Sequence, residues 1–147
     1  MTRNSRSRLL IAGGACLAAL TVWAVADRQP ATWVEPPAYT YTVRFRCGMA
    51  SPPGQYTLTV ADGTVGKAVA DDPLSRQVME VRQLEPGDFP TLGKLFREYR
   101  QAWSEGADVT EISLDPVDGH PTRIRLDVEK ESVDDESCYD IVAFTAS

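Results

Sequence analysis

The sequence predicts an α+β domain: a single antiparallel sheet of about six strands, in the order βββ-α-βββ, with one main helix packed on one face. Three observations carry this. Residues 39–47 alternate apolar and polar without a break, as a half-buried strand requires. Residues 109–114 and 122–128 alternate in the same way and are separated by Pro116, Gly119 and Pro121, which marks a hairpin. Between these halves Leu92, Leu95, Phe96, Tyr99 and Trp103 recur at helical spacing and form one apolar stripe.

In chain order, residues 1–26 read as a targeting segment. Arg3, Arg6 and Arg8 precede an apolar run from Leu9 to Ala26 that ends in Ala24-Val25-Ala26, a small-residue site with cleavage between Ala26 and Asp27. The run is also just long enough to serve as an uncleaved membrane anchor, with its arginines held on the cytoplasmic side. A third reading, lipidation at Cys16, suffers from Gly13 standing where a leucine is wanted. All three put the rest of the chain outside the cytoplasm, with contact to a membrane only through this segment. Residues 27–38 read as a linker in which Pro30, Pro36 and Pro37 forbid a long helix, although Trp33 and Val34 are suited to fold back onto the domain. The domain proper is expected over residues 39–147.

In the first strand Tyr39, Tyr41, Val43, Phe45 and Cys47 share one face, and Thr40, Thr42, Arg44 and Arg46 the other. Arg44 and Arg46 form a candidate anion-binding pair; the plainer reading is a solvated strand face with acids opposite. Residues 55–60 and 65–69 are the next two strands, joined by Asp62-Gly63, a favoured hairpin dipeptide. Asp71-Asp72-Pro73 is expected to end this meander, since two adjacent acids are too few oxygens for calcium. Residues 74–84 fit either a short strand or an extended crossing segment. The helix should begin near Pro90, as its first residue, or Thr91, as its N-cap, and stop at Gly106.

In the second half Ile112, Leu114, Ile124, Leu126 and Val128 should face the core, with Glu111 meeting Arg123 or Arg125 on the outside. The last strand, 137–145, puts Tyr139, Ile141 and Ala143 on one face and Val142 and Phe144 on the other. Apolar residues on both faces point to a strand paired along both edges.

Composition narrows the function. Without the three N-terminal arginines, twelve cations remain against 21 acids, a net of −9. Such a surface repels nucleic-acid backbones and anionic lipids, so no nucleic-acid partner is expected. His120, the single histidine, lies in a Gly-His-Pro turn where the chain should be most exposed, and no nucleophile elbow accompanies it. Asp127, Glu129, Glu131, Asp134, Asp135 and Glu136 form an acidic connection that lacks the glycine and the alternating ligands of a calcium loop. No metal site, cofactor or catalytic grouping is therefore expected. Cys47 and Cys138 end one strand and begin another. In an oxidising compartment they are expected to be bonded to each other.

The order of these motifs also resembles a bacterial envelope family known as domain of unknown function 6174. The resemblance rests on the Tyr-x-Tyr-x-Val-x-Phe-x-Cys strand, the aliphatic-aromatic helix, the Leu-Asp-Pro-x-x-Gly-x-Pro hairpin and an Asp-Asp-Glu before the last strand. Members often carry a second cysteine two positions after the first, where this chain has Met49, so a disulfide within that short motif is not available. The family implies an extracytoplasmic domain and supplies no catalytic residues. The function expected from all this is a non-catalytic envelope or secreted module that binds a protein or a wall component, with Arg44 and Arg46 on the candidate face. The alternative is a small secreted hydrolase using dispersed carboxylates, which would need two acids converging in a cleft.

Overall fold

The computed structural model describes residues 31–48, 51–128 and 136–147. The targeting segment with Ala26 and Asp27, and the acidic residues Glu129, Glu131, Asp134 and Asp135, lie outside these described residues. Among them no helix is long and apolar enough to cross a membrane.

Six strands form one antiparallel sheet: β1 (Ala38–Cys47), β2 (Gly54–Ala61), β3 (Thr64–Ala70), β4 (Val109–Leu114), β5 (Pro121–Asp127) and β6 (Ser137–Ala146). Their spatial order is β3-β2-β1-β6-β5-β4. Each half is a meander, and the first and last strands meet in the centre, where Tyr41 lies opposite Phe144 and Arg44 opposite Asp140. Two helices separate the halves, α1 (Pro73–Arg82) and α2 (Leu92–Glu105), with a single 3-10 turn at Pro86–Asp88 between them. The architecture is the expected α+β sheet, with one helix more than predicted.

The additional helix replaces the extended segment expected over 74–84. Its start is fixed by a capping box: the Asp72 carboxylate accepts from the Ser75 amide at 2.9 Å, and the Ser75 hydroxyl accepts from the Asp72 amide at 3.1 Å. Pro73 follows the cap at the first helical position. Apolar spacing could not reveal this helix, because Leu74 and Val81 are exposed and Ser75 is the residue it buries. Gly54 of β2 allows that close approach; its φ is +122°, and a Cβ there would stand 2.7 Å from Ser75 Cβ.

Helix α2 follows the predicted stripe for Leu92, Leu95, Phe96 and Tyr99, all buried. Trp103 departs from it at 40% exposure, and Ala102 packs against the core one position earlier. Thr91 is the N-cap, its hydroxyl accepting from the Lys94 amide, and Gly106 closes the helix at φ +78°. Pro90 is therefore not the first helical residue; it precedes the cap, and its carbonyl accepts the Tyr41 hydroxyl at 2.5 Å.

Two irregularities change which face residues occupy. Thr42 pairs with Ala143 but Val43 with Ile141, so Val142 is an extra residue in β6. Beyond it the alternation inverts: Ala143 is exposed and Phe144 turns inward against Trp33 and Tyr39, contrary to the strict alternation expected. The apolar residues on both faces of β6 thus reflect a bulge, although β6 is indeed paired on both edges, with β1 and β5. A second irregularity between Phe45 and Cys47 sets Cys47 opposite Cys138. Cys138 is also the register partner of exposed Arg125, so Cys47 does not continue the buried row of Tyr39 to Phe45. The two cysteines form a disulfide across a sequence separation of 91 residues. Val128 lies beyond the end of β5 and is exposed, not inward as expected.

Candidate functional site

The helices and the buried row Tyr39, Tyr41, Val43, Phe45, Tyr56 and Leu58 occupy one side of the sheet. The other side carries the polar halves of the strands. Register arranges them in cross-strand rows. One row runs Gln55, Arg44, Asp140, Arg123 and Ser113 across β2, β1, β6, β5 and β4. Beside it stands a threonine field, with Thr42 opposite Thr57 and Thr40 opposite Thr59. The hydroxyls of the first pair are 2.9 Å apart.

Asp140 is the centre of the row. Its side chain is 16% exposed, and each carboxylate oxygen meets a different arginine: Oδ2 pairs with Arg46 Nε, and Oδ1 accepts from Arg123 Nε at 3.1 Å. Arg44, opposite Asp140 in register, donates from Nη2 to Gln55 Oε1 at 2.7 Å. Arg125 stands opposite Glu111, the outer-face partner anticipated for it. Two exposed arginines therefore meet one half-buried acid and a third, Arg44, stands opposite it in register, in a chain whose acids outnumber its cations. An open depression of about 560 Å³, lined by Arg44, Arg46, Gln55, Asp72 and Leu74 among others, adjoins the cluster beside the start of α1.

Sequence reasoning picked out Arg44 and Arg46 but missed Arg123 and Asp140 as their companions. The signal that locates them is strand register, which joins positions far apart in the chain.

The other sequence candidates have structural roles. Both oxygens of Asp72 are committed: Oδ1 to the Ser75 amide and Oδ2 to the Gln55 amide at 2.9 Å. These N–H donors, the Ser75 amide foremost, hold its carboxyl below the usual carboxylate value. Asp71 accepts from the Thr57 hydroxyl at 2.9 Å. His120 is not at an exposed tip: its side chain is 12% exposed, and its ring stacks on Phe144 at 4.4 Å between centroids. Its Nδ1 meets Asp118 Oδ1 at 2.5 Å; an ionised carboxylate only accepts, so the proton belongs on Nδ1. The His120 backbone amide also donates to Asp118, and this bond leads the effects that lower the Asp118 carboxyl.

Asp115, Asp118 and His120 bring three ligand-type atoms within 4.8 Å of one another. Their oxygens already serve the hairpin turn, with Asp115 Oδ1 accepting the Val117 amide at 2.8 Å. The Glu136 carboxylate lies near the sulfurs of Cys47 and Cys138, which are spent on their mutual bond. Asp127 Oδ1 is buried and has no hydrogen-bond partner among the described residues.

A family model described as a family of unknown function (DUF6174) matches residues 27–146. No curated protein and no solved structure matches the chain.

Proposed function

The chain belongs to this family of unknown function, and we propose that it is an extracytoplasmic binding module that presents the open face of its sheet to a protein or wall component of the cell envelope. The observation that carries the reading is the arginine cluster around Asp140. Exposed arginines held by a shared, half-buried carboxylate on the polar side of the sheet form a recognition surface, and the helices cover the opposite side. Export is supported by the apolar N-terminal run and by a disulfide, which persists in oxidising compartments. The module works by contact and performs no chemistry.

The test is site-specific photo-cross-linking in intact source cells. A photoreactive residue at Thr42, in the threonine field, should capture one envelope component. The same residue at Arg76, on the exposed side of α1, should not. Equal capture from both positions, or none from Thr42, removes the sheet face as the binding surface.

A further inference from the structure

We propose that the arginine cluster is a preorganised receptor for a few side-chain carboxylates presented on the surface of a partner protein, with Asp140 acting as the positioning residue; this rests on the binding-module reading above. Arg46 and Arg123 reach Asp140 from β1 and β5 on either side of it, each through Nε. An arginine fork has five N–H donors, and contact through Nε leaves its terminal edge for a second oxyanion. Both side chains are about half exposed, at 54%. Asp140 thus fixes two long side chains that would otherwise lose rotamer freedom on binding, which lowers the ordering cost of an incoming carboxylate. Gln55 does the same for Arg44.

The chemistry of the partner follows from charge and shape. The chain as a whole is acidic, so a phosphate polymer is repelled along most of its length while only a short stretch meets the arginines. A polypeptide offering a few carboxylates on an otherwise mild surface meets the local positive field without that penalty. The adjoining threonines supply uncharged hydroxyls that pair across β1 and β2, with Thr57 also donating to Asp71 at the edge of the field, a polar surface suited to a protein.

The experiment follows arginine Nε–H resonances of the full chain during titration with two probes, a hexaglutamate peptide and tripolyphosphate, at about 50 mM and about 300 mM salt. Hexaglutamate should shift Arg46 and Arg123, and binding should weaken at the higher salt. Arg46→Gln with Arg123→Gln should weaken it roughly tenfold, and Arg76→Gln with Arg100→Gln, the same charge change elsewhere, less than about twofold. Asp140→Asn should weaken binding although it makes the face more positive. Tighter binding by Asp140→Asn overturns the positioning role. Equal losses in the two arginine pairs, or stronger binding of tripolyphosphate at the same arginines, overturn the carboxylate receptor. Capture from Thr42 in cells without hexaglutamate binding leaves the module reading standing and removes this one; hexaglutamate binding without capture removes the module reading and, with it, the partner assigned here.

Discussion

The carboxylate of Glu35 accepts the backbone amide of Gly93 at 3.1 Å, joining residues 58 apart in sequence at the N-terminus of α2. The same oxygen accepts the Tyr39 hydroxyl at 2.5 Å, and that hydroxyl accepts the Leu92 amide at 2.9 Å. Two N–H groups that an isolated helix leaves unpaired are thus satisfied by a residue ahead of β1 and by β1 itself. An acid at this helix end is also favoured by the helix dipole.

Gly93 makes room for this arrangement, because a Cβ there would overlap the Glu35 carboxylate and force it off the helix end. Gly93→Ala should destabilise the domain by about 1–3 kcal/mol, the usual cost of overpacking. In Glu35→Ala the clash has no partner, so the double variant should be less destabilised than the sum of the two single ones. Urea unfolding of the four proteins in a double-mutant cycle measures this; strict additivity would mean that the two residues do not meet.

Tyr39 and Tyr41 should resist ionisation. Burial is the leading cause for both, and the neighbouring Glu35 carboxylate adds to it; both phenols are pushed above their ordinary value near 10. A raised folded value means that the folded state keeps protons which the unfolded state releases. The stabilisation is complete below the unfolded value and is lost as pH rises above it toward the folded values. In an alkaline titration the phenolate absorbance of these two should therefore appear together with unfolding. Tyr41→Phe should remove its share from that late step and none from the early one.

Elements carried by local pattern were legible in the sequence. The alternation of β1, the stripe through Tyr99, the Thr91 cap and the Gly106 stop all depend on neighbours within one or two turns. The Asp62-Gly63 hairpin is as local, both residues taking positive φ. Helix α1 was hidden because the residue it buries fully is the polar Ser75, while Leu74 and Val81 stay in solvent and Met79 packs only in part, so no apolar stripe marked it. The inward turn of Phe144 was hidden because the extra residue Val142 shows only against the partner strand. Asp140 was hidden for the same reason: Tyr-Asp-Ile reads as ordinary alternation until register brings arginines from two other strands to it.

The Cys47–Cys138 disulfide ties β1 to β6 where the two halves of the sheet join. Closing a loop of this length removes unfolded-state entropy worth roughly 4–5 kcal/mol in the chain-entropy model. Reduction, or Cys47→Ser with Cys138→Ser, should lower the urea midpoint substantially while leaving the far-ultraviolet circular dichroism of the folded state unchanged. An unchanged midpoint would mean that the cross-link constrains little in the unfolded chain.

The capping box at Asp72 predicts how α1 responds to acid. The folded carboxyl is lowered chiefly by the Ser75 amide, with the Gln55 amide adding to it, so the folded state binds the anion better than the unfolded chain does. The stabilisation is present above the unfolded value of 3.8 and is lost as pH falls through the lower folded value. Asp72→Asn keeps a side-chain oxygen for the cap but cannot titrate. It should lower the urea midpoint at neutral pH, and the gap between variant and parent should narrow below about pH 4. Ser75→Ala removes the reciprocal bond to the Asp72 amide inside a buried contact and should cost about 1–2 kcal/mol, the usual range for a lost cap, most of it retained in acid because the Ser75 side chain is only a lesser cause of the lowered Asp72 carboxyl. Midpoints of the three proteins across the acid range separate the two effects, because the aspartate contribution carries most of the pH dependence; a Ser75→Ala loss that vanished together with it would show that the cap acts through charge alone.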